Sequence, residues 1–239
     1  MIAFITSSPF REDVDRPTFS NVNGFVDRIR RALLPHPRCL YICSSPERHD
    51  LNCLYGADIF MAFANAGIHF ASYQVLDARN ADRAGELVKS SDLIVLAGGH
   101  VPTQNAFFQK LGLRKLLENH PGVVMGISAG SMNSADVVYS QPEEPGESAP
   151  EFQRFLPGLG LTNVQILPHY QKVKDDILDG KGLFEDITYA DSLGHTFYAL
   201  PDFSYVVDDG QTAVLCGEGY RIRDGVKTQI CANGQEMKL

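Results

Sequence analysis

The chain has 239 residues, 44% of them hydrophobic and 21% charged, with a formal net charge of −8 at pH 7. That is ordinary globular composition, long enough to bury a sizeable core. The acidic balance gives no electrostatic grip on nucleic acid or anionic lipid, and no run approaches the roughly 18–20 apolar residues of a membrane helix.

The first residues, Met1–Pro9, lack the basic region and long apolar run of a secretory signal, and read instead as a buried strand. The five cysteines, Cys39, Cys43, Cys53, Cys216 and Cys231, include no C-x-x-C pair. They read as reduced thiols in a cytoplasmic protein rather than as disulfides or a zinc site. Cys39 and Cys43 bracket a strand-like run, so their spacing says little about metal.

Along the chain, short β-branched runs alternate with amphipathic stretches of helix length. Ile2–Thr6 reads as the first strand. Asn21–Leu34 follows as a helix, with Phe25, Ile29 and Leu33 at helical spacing and a stop at Pro35. Then come a strand at Arg38–Cys43, a helix at Leu54–Ala66, a strand at Phe70–Leu76 and a short helix at Ala81–Lys89. Leu93–Ala97 is almost purely aliphatic and runs into Gly98-Gly99. A helix over Thr103–Phe108 continues through Leu113–Asn119, and Val123–Gly126 is the next buried run, with a helix expected from Ala129. This alternation predicts a mostly parallel sheet covered by helices on both faces.

Gln141–Pro150 is polar and proline-rich, the composition of a surface loop or mobile flap. A strand is expected at Leu161–Leu167 and part of a helix at Asp175–Leu178. Thr196–Leu200, Tyr205–Asp208, Thr212–Cys216 and Gly219–Ile222 read as small C-terminal hairpin elements, with turns at Asp209-Gly210 and Asp224-Gly225. No repeat or linker divides the chain, so residues 1–239 are expected to form one domain.

Gly126-Ile127-Ser128-Ala129-Gly130 fits G-x-S-x-G. A serine pushed out between strand and helix sits on a cramped turn, and the glycines two before and two after it let the backbone reverse. The pattern is short and also suits a plain turn. Its setting, after Val123-Val124-Met125 and before a helical stretch, is the one a nucleophile needs. A tetrahedral intermediate also needs two N–H donors. Ala129, next to the serine, can give one, and Gly99 or its neighbour the other.

Serine needs a base. Of the seven histidines, His36, His49, His69 and His120 read as structural or exposed, and His100 as a loop residue. His169 lies just past a strand, where ligands bind in open parallel sheets. His195 begins a strand, the wrong end. Asp202, after the run Thr196–Leu200, is the preferred acid, with Glu143 or Glu144 of the proline-rich loop as alternatives. Two rival readings remain. One is an α/β-hydrolase-type esterase using His195 with Asp186 or Asp191. The other is a non-catalytic binding protein that keeps the turn for packing.

Ala97-Gly98-Gly99, Gly126-Ile127-Ser128-Ala129-Gly130 and Leu167-Pro168-His169 occur in that order, and together they resemble the peptidase E family, which includes aspartyl dipeptidase and cyanophycinase. The resemblance runs from about Phe4 to about Gly217. It implies a doubly wound fold like that of class I glutamine amidotransferases, with serine in place of cysteine. It also implies peptide hydrolysis without metal or organic cofactor, with Ser128 as nucleophile and His169 as base. An acid after the histidine is implied in a Pro-Glu step, which Pro201-Asp202 matches with Asp for Glu. The family's Gly-Gly-Gly-Asn step reads Gly98-Gly99-His100-Val101 here. No arginine lies between Ser128 and Gln153, where an acidic substrate side chain would be held; Arg154 is the nearest. The expected partner is a small peptide substrate, and a homodimer is an admissible assembly.

Overall fold

Aliphatic and β-branched runs make central strands because a parallel sheet is buried on both faces. The computed structural model covers residues 1–239, and five of these runs form the parallel part of an eight-stranded sheet. They are β1 (Ile2–Thr6), β2 (Arg38–Ile42), β3 (Ser72–Leu76), β4 (Leu93–Leu96) and β5 (Val123–Ile127), in the spatial order β1-β5-β4-β2-β3. Every residue of β4 and β5 is buried.

The connections are α1 (Phe25–Ala32), α2 (His49–Asn65), α3 (Ala84–Lys89), α4 (Val101–Leu111), α5 (Leu113–Leu117) and the single turn α6 (Ala129–Met132). The path steps outward from β1 to β2 and β3, then back to β4 and β5. Right-handed crossovers therefore put α1 and α2 on one face and α3, α4 and α5 on the other. Packing agrees: Phe19 bridges Phe25 of α1 and Phe63 of α2, with centroids 5.7 and 4.8 Å away. On the opposite face Gly85 of α3 leaves room for Leu116 of α5. The fold is the expected doubly wound α/β arrangement. No helix is long and apolar enough to cross a membrane.

Beyond β1 the main sheet continues antiparallel through Tyr205–Asp208, Ala213–Cys216 and Glu236–Lys238. A second sheet has the order Val226–Cys231, Gly219–Arg223, Thr196–Ala199, Ile166–Leu167. Its last two strands are parallel, with Ala199 opposite Leu167. The C-terminal hairpins thus serve two sheets.

Several boundaries differ from expectation. The first helix begins at Phe25, because Asn23 and Gly24 both take positive φ and break the turn ahead of it. The second starts earlier, at His49, where no capping side chain marks it. Asp175–Leu178 is not helical. Ile177–Leu178 pairs with Lys181–Gly182 across a turn in which Asp179 and Gly180 have φ of 51° and 80°. Of Leu161–Leu167 only Ile166–Leu167 is strand. Gln141–Pro150 is no free flap: Gln141, Pro142 and Ser148 are buried, and Gln141 Nε2 donates to Thr188 Oγ1 at 2.8 Å.

Phe25 is 1% exposed and meets Phe4, Phe19 and Tyr205. Phe25→Ala is expected to cost about 3–5 kcal/mol in urea unfolding, with little change in the denaturant slope.

Candidate active site

Ser128 caps α6 at the carboxyl end of β5 with φ 49° and ψ −113°, a conformation that side chains rarely adopt. Its N–H donates to the carbonyls of Thr6 and Ser7 at 3.1 and 3.0 Å, tying it to the end of β1. The flanking glycines are sterically required. A Cβ on Gly126 would lie 2.7 Å from the Ser131 backbone, and one on Gly130 only 2.3 Å from the Leu96 carbonyl oxygen. The helix that follows is shorter than expected, one turn, so its dipole counts for less than its first free N–H groups.

Two matching steps, Leu167-Pro168-His169 and Leu200-Pro201-Asp202, leave the parallel pair of the second sheet side by side. The Leu200 N–H donates to the Leu167 carbonyl at 2.9 Å, and each proline then stops the ladder. His169 Nδ1 reaches Asp202 Oδ1 at 2.7 Å. Ser7, fully buried past the end of β1, links both: its Oγ accepts the His169 N–H at 2.7 Å and donates to Asp202 Oδ1 at 3.0 Å. Gln171 Nε2 and Lys172 Nζ approach Asp202 Oδ2 at 2.6 and 3.0 Å. Burial alone would raise the Asp202 carboxyl. The hydrogen bond and charge of His169, joined by those of Lys172, outweigh it and hold the group well below the usual carboxylate range.

Ser128 and His169 line one cavity of about 240 Å³, together with Gly99, Val101, Met132 and Glu143. The Ser128 hydroxyl makes no hydrogen bond to the ring here; such contacts often tighten only around substrate. Ala129 opens α6, so its N–H precedes any intrahelical acceptor. Gly98 packs against Ser128, where an added Cβ would sit 3.5 Å from the serine Cβ. Gly99 has φ 144°, and a Cβ there would strike Ser44 Oγ at 2.3 Å. Both expected oxyanion donors, Ala129 and Gly99, therefore border the serine's surroundings.

The other candidates lie elsewhere. Glu143 stands in the cavity wall and accepts from the Val101 N–H at 3.3 Å. Neither Glu143 nor Glu144 bonds His169, whose Nδ1 is taken by Asp202. His100 pairs with Glu147 at 2.8 Å, fastening the 141–150 loop to the turn after β4. His195 stacks on Phe155, centroids 4.3 Å apart, outside the Ser128 cavity. Asp191 binds Tyr139 and Arg154, and Asp186 accepts from Gly182, so the esterase constellation is not assembled. Arg154 is thereby committed and does not line the cavity. Cys39 and Cys43 are buried, and burial raises both thiols, Cys43 to about 12.

The sequence profile of peptidase family S51 matches residues 27–218. The chain belongs to peptidase family S51. Membership makes it a serine-type peptidase, a hydrolase. A 1.5 Å crystal structure from Listeria monocytogenes EGD-e, described provisionally as a peptidase E protein, has a similar fold. The TM-score is 0.59 at 15% identity, covering 96% of this chain and 98% of that one. No curated protein matches the chain.

In this S51 chain, Ser7, Gln171 and Lys172 are contacts the sequence reading did not find. Ser7 carried one usable signal, its place just past the carboxyl end of a central strand.

A carboxyl whose folded value is lowered adds stability above its unfolded value, about 3.9, and loses it as pH falls through the folded one. Asp202→Asn should therefore be less stable than wild type at pH 7, with the gap closing as pH drops below about 4. Urea unfolding at pH 7 and at pH 3 reads the difference; a gap that stays constant contradicts the assignment.

Proposed function

We propose that the chain hydrolyses short peptides through Ser128, His169 and Asp202. The observation that carries this is the 2.7 Å bond from His169 Nδ1 to Asp202, with the same histidine and Ser128 lining one cavity. A proton held on Nδ1 by Asp202 leaves Nε2 as the acceptor. Ser128 Oγ then attacks the scissile carbonyl carbon while His169 takes its proton. In this reading the Ala129 and Gly99 N–H groups stabilise the oxygen that becomes negative. His169 returns the proton to the departing amine, and water releases the acyl group by the same steps.

The cavity's size supports short substrates. Its wall carries Glu143 and Asp176 and no lysine or arginine, which supports a neutral or basic residue on the acyl side rather than an acidic one. The five unpaired cysteines, four of them buried, suit a cytoplasmic setting.

Ser128→Ala and His169→Ala should each lower kcat/KM on a dipeptide panel by about a thousandfold or more, at unchanged fold by circular dichroism. Wild type should also react with a fluorophosphonate at Ser128. A wild-type protein that cleaves no dipeptide, or a Ser128→Ala variant that cleaves as well, overturns the reading.

A further inference from the structure

A second cavity, of about 580 Å³, lies on the other side of the Gly98-Gly99 turn. Its walls include Ser44 and Ser45 after β2, Gly98 and Gly99 after β4, and Tyr55 and Ile59 of α2. This is where the winding reverses: the chain leaves β2 toward one face of the sheet and β4 toward the other. The parting of those connections opens a crevice at the carboxyl ends of the strands, the usual ligand position in this class of fold. Gly99 belongs to the walls of both cavities, so the crevice adjoins the nucleophile's cavity at that residue.

The two cavities differ in their charged groups. The Ser128 side has the carboxylates of Glu143 and Asp176 and no lysine or arginine. The crevice has Arg48, the only lysine or arginine lining either one. Arg48 is exposed and its guanidinium makes no ion pair, while Arg38, Arg79 and Arg114 each hold a carboxylate. Asp58 also lines the crevice without pairing to Arg48. A dipeptide carries an ammonium on the acyl side of its single peptide bond, to which Glu143 and Asp176 are suited, and a carboxylate on the leaving side, to which the unpaired Arg48 is suited.

Resting on the peptidase reading above, we propose that the crevice is a leaving-group subsite in which Arg48 takes the free α-carboxylate of the departing residue. A guanidinium suits this task because its planar donors match a carboxylate in pairs. Asp58 then favours a leaving residue with a neutral or basic side chain over an acidic one.

The test compares Leu-Ala with its C-terminal amide. In wild type the free acid should have a kcat/KM about tenfold or more above the amide. In Arg48→Met that preference should disappear through KM with kcat kept, and Arg48→Lys should restore part of it. The same pair is titrated calorimetrically into Ser128→Ala and into Ser128→Ala with Arg48→Met, where binding is read without cleavage. Equal binding of acid and amide, a preference that survives Arg48→Met, or no binding of either overturns the subsite. A Ser128→Ala protein that still hydrolyses Leu-Ala overturns the triad instead, and the binding comparison still decides the role of Arg48. Arg48→Met removes no internal side-chain bond, so its thermal unfolding should match wild type.

Discussion

The active-site geometry depends on the backbone of Ser128, which is held where a non-glycine residue does not rest by itself. Its φ of 49° with ψ of −113° lies outside the common wells. Conformations of this kind cost about 1–3 kcal/mol and persist only when the surroundings over-determine them. Here the surroundings are two neighbouring strands. The Thr6 and Ser7 carbonyls grip the serine N–H from β1, and Ser131 Oγ donates to the same Thr6 oxygen at 2.8 Å. On the other side Gly130 is pressed against the Leu96 and Ala97 carbonyls of the β4 end. The serine is thus aimed by the sheet, and side chains contribute little. That explains why the glycines at 126 and 130 carry so much information: each marks a place where backbone meets backbone with no space for a methyl group.

The histidine is positioned by a different device. His169 and Asp202 meet because two strands of the second sheet run parallel and in register and end in the same Leu-Pro step. Ser7 then couples this sheet to the first, since its hydroxyl holds the His169 backbone and the Asp202 carboxylate while its own carbonyl holds Ser128. One residue at the end of β1 therefore fixes the His169 backbone, the Asp202 carboxylate and the Ser128 backbone together. His169 has a φ of 56°, so it too needs such an outside hold.

How much of this was legible follows from the range of the interactions. The β1–β5 runs and the Gly126–Gly130 turn announce themselves locally, through aliphatic density and missing side chains, and they came through with small shifts at their ends. The order of motifs along the chain placed His169 and Asp202 past strand ends, where they are found. What stayed hidden depends on contacts between distant segments. Ser7 looks like any loop serine until His169 and Asp202 arrive, 162 and 195 positions later. The 141–150 loop reads as a flap by composition, but Gln141 is anchored by Thr188 and Glu147 by His100. Four residues at 175–178 were too few to tell a helical turn from a ribbon whose register is set by Asp179-Gly180.

The fold also explains why Gly99 borders two unlike cavities. β4 stands between β5, which carries the serine, and β2, which sends its chain to the opposite face. The turn after β4 must therefore serve as a wall toward both. A side chain at position 99 would collide with Ser44 on the crevice side, and Gly98 already contacts Ser128 on the other. Only bare backbone fits between them, and bare backbone is what can offer an N–H toward a developing oxyanion. The glycine pair thus answers a packing demand and, in the mechanism proposed above, a chemical one. It stands between the Ser128 cavity and the crevice that holds Arg48 and Asp58.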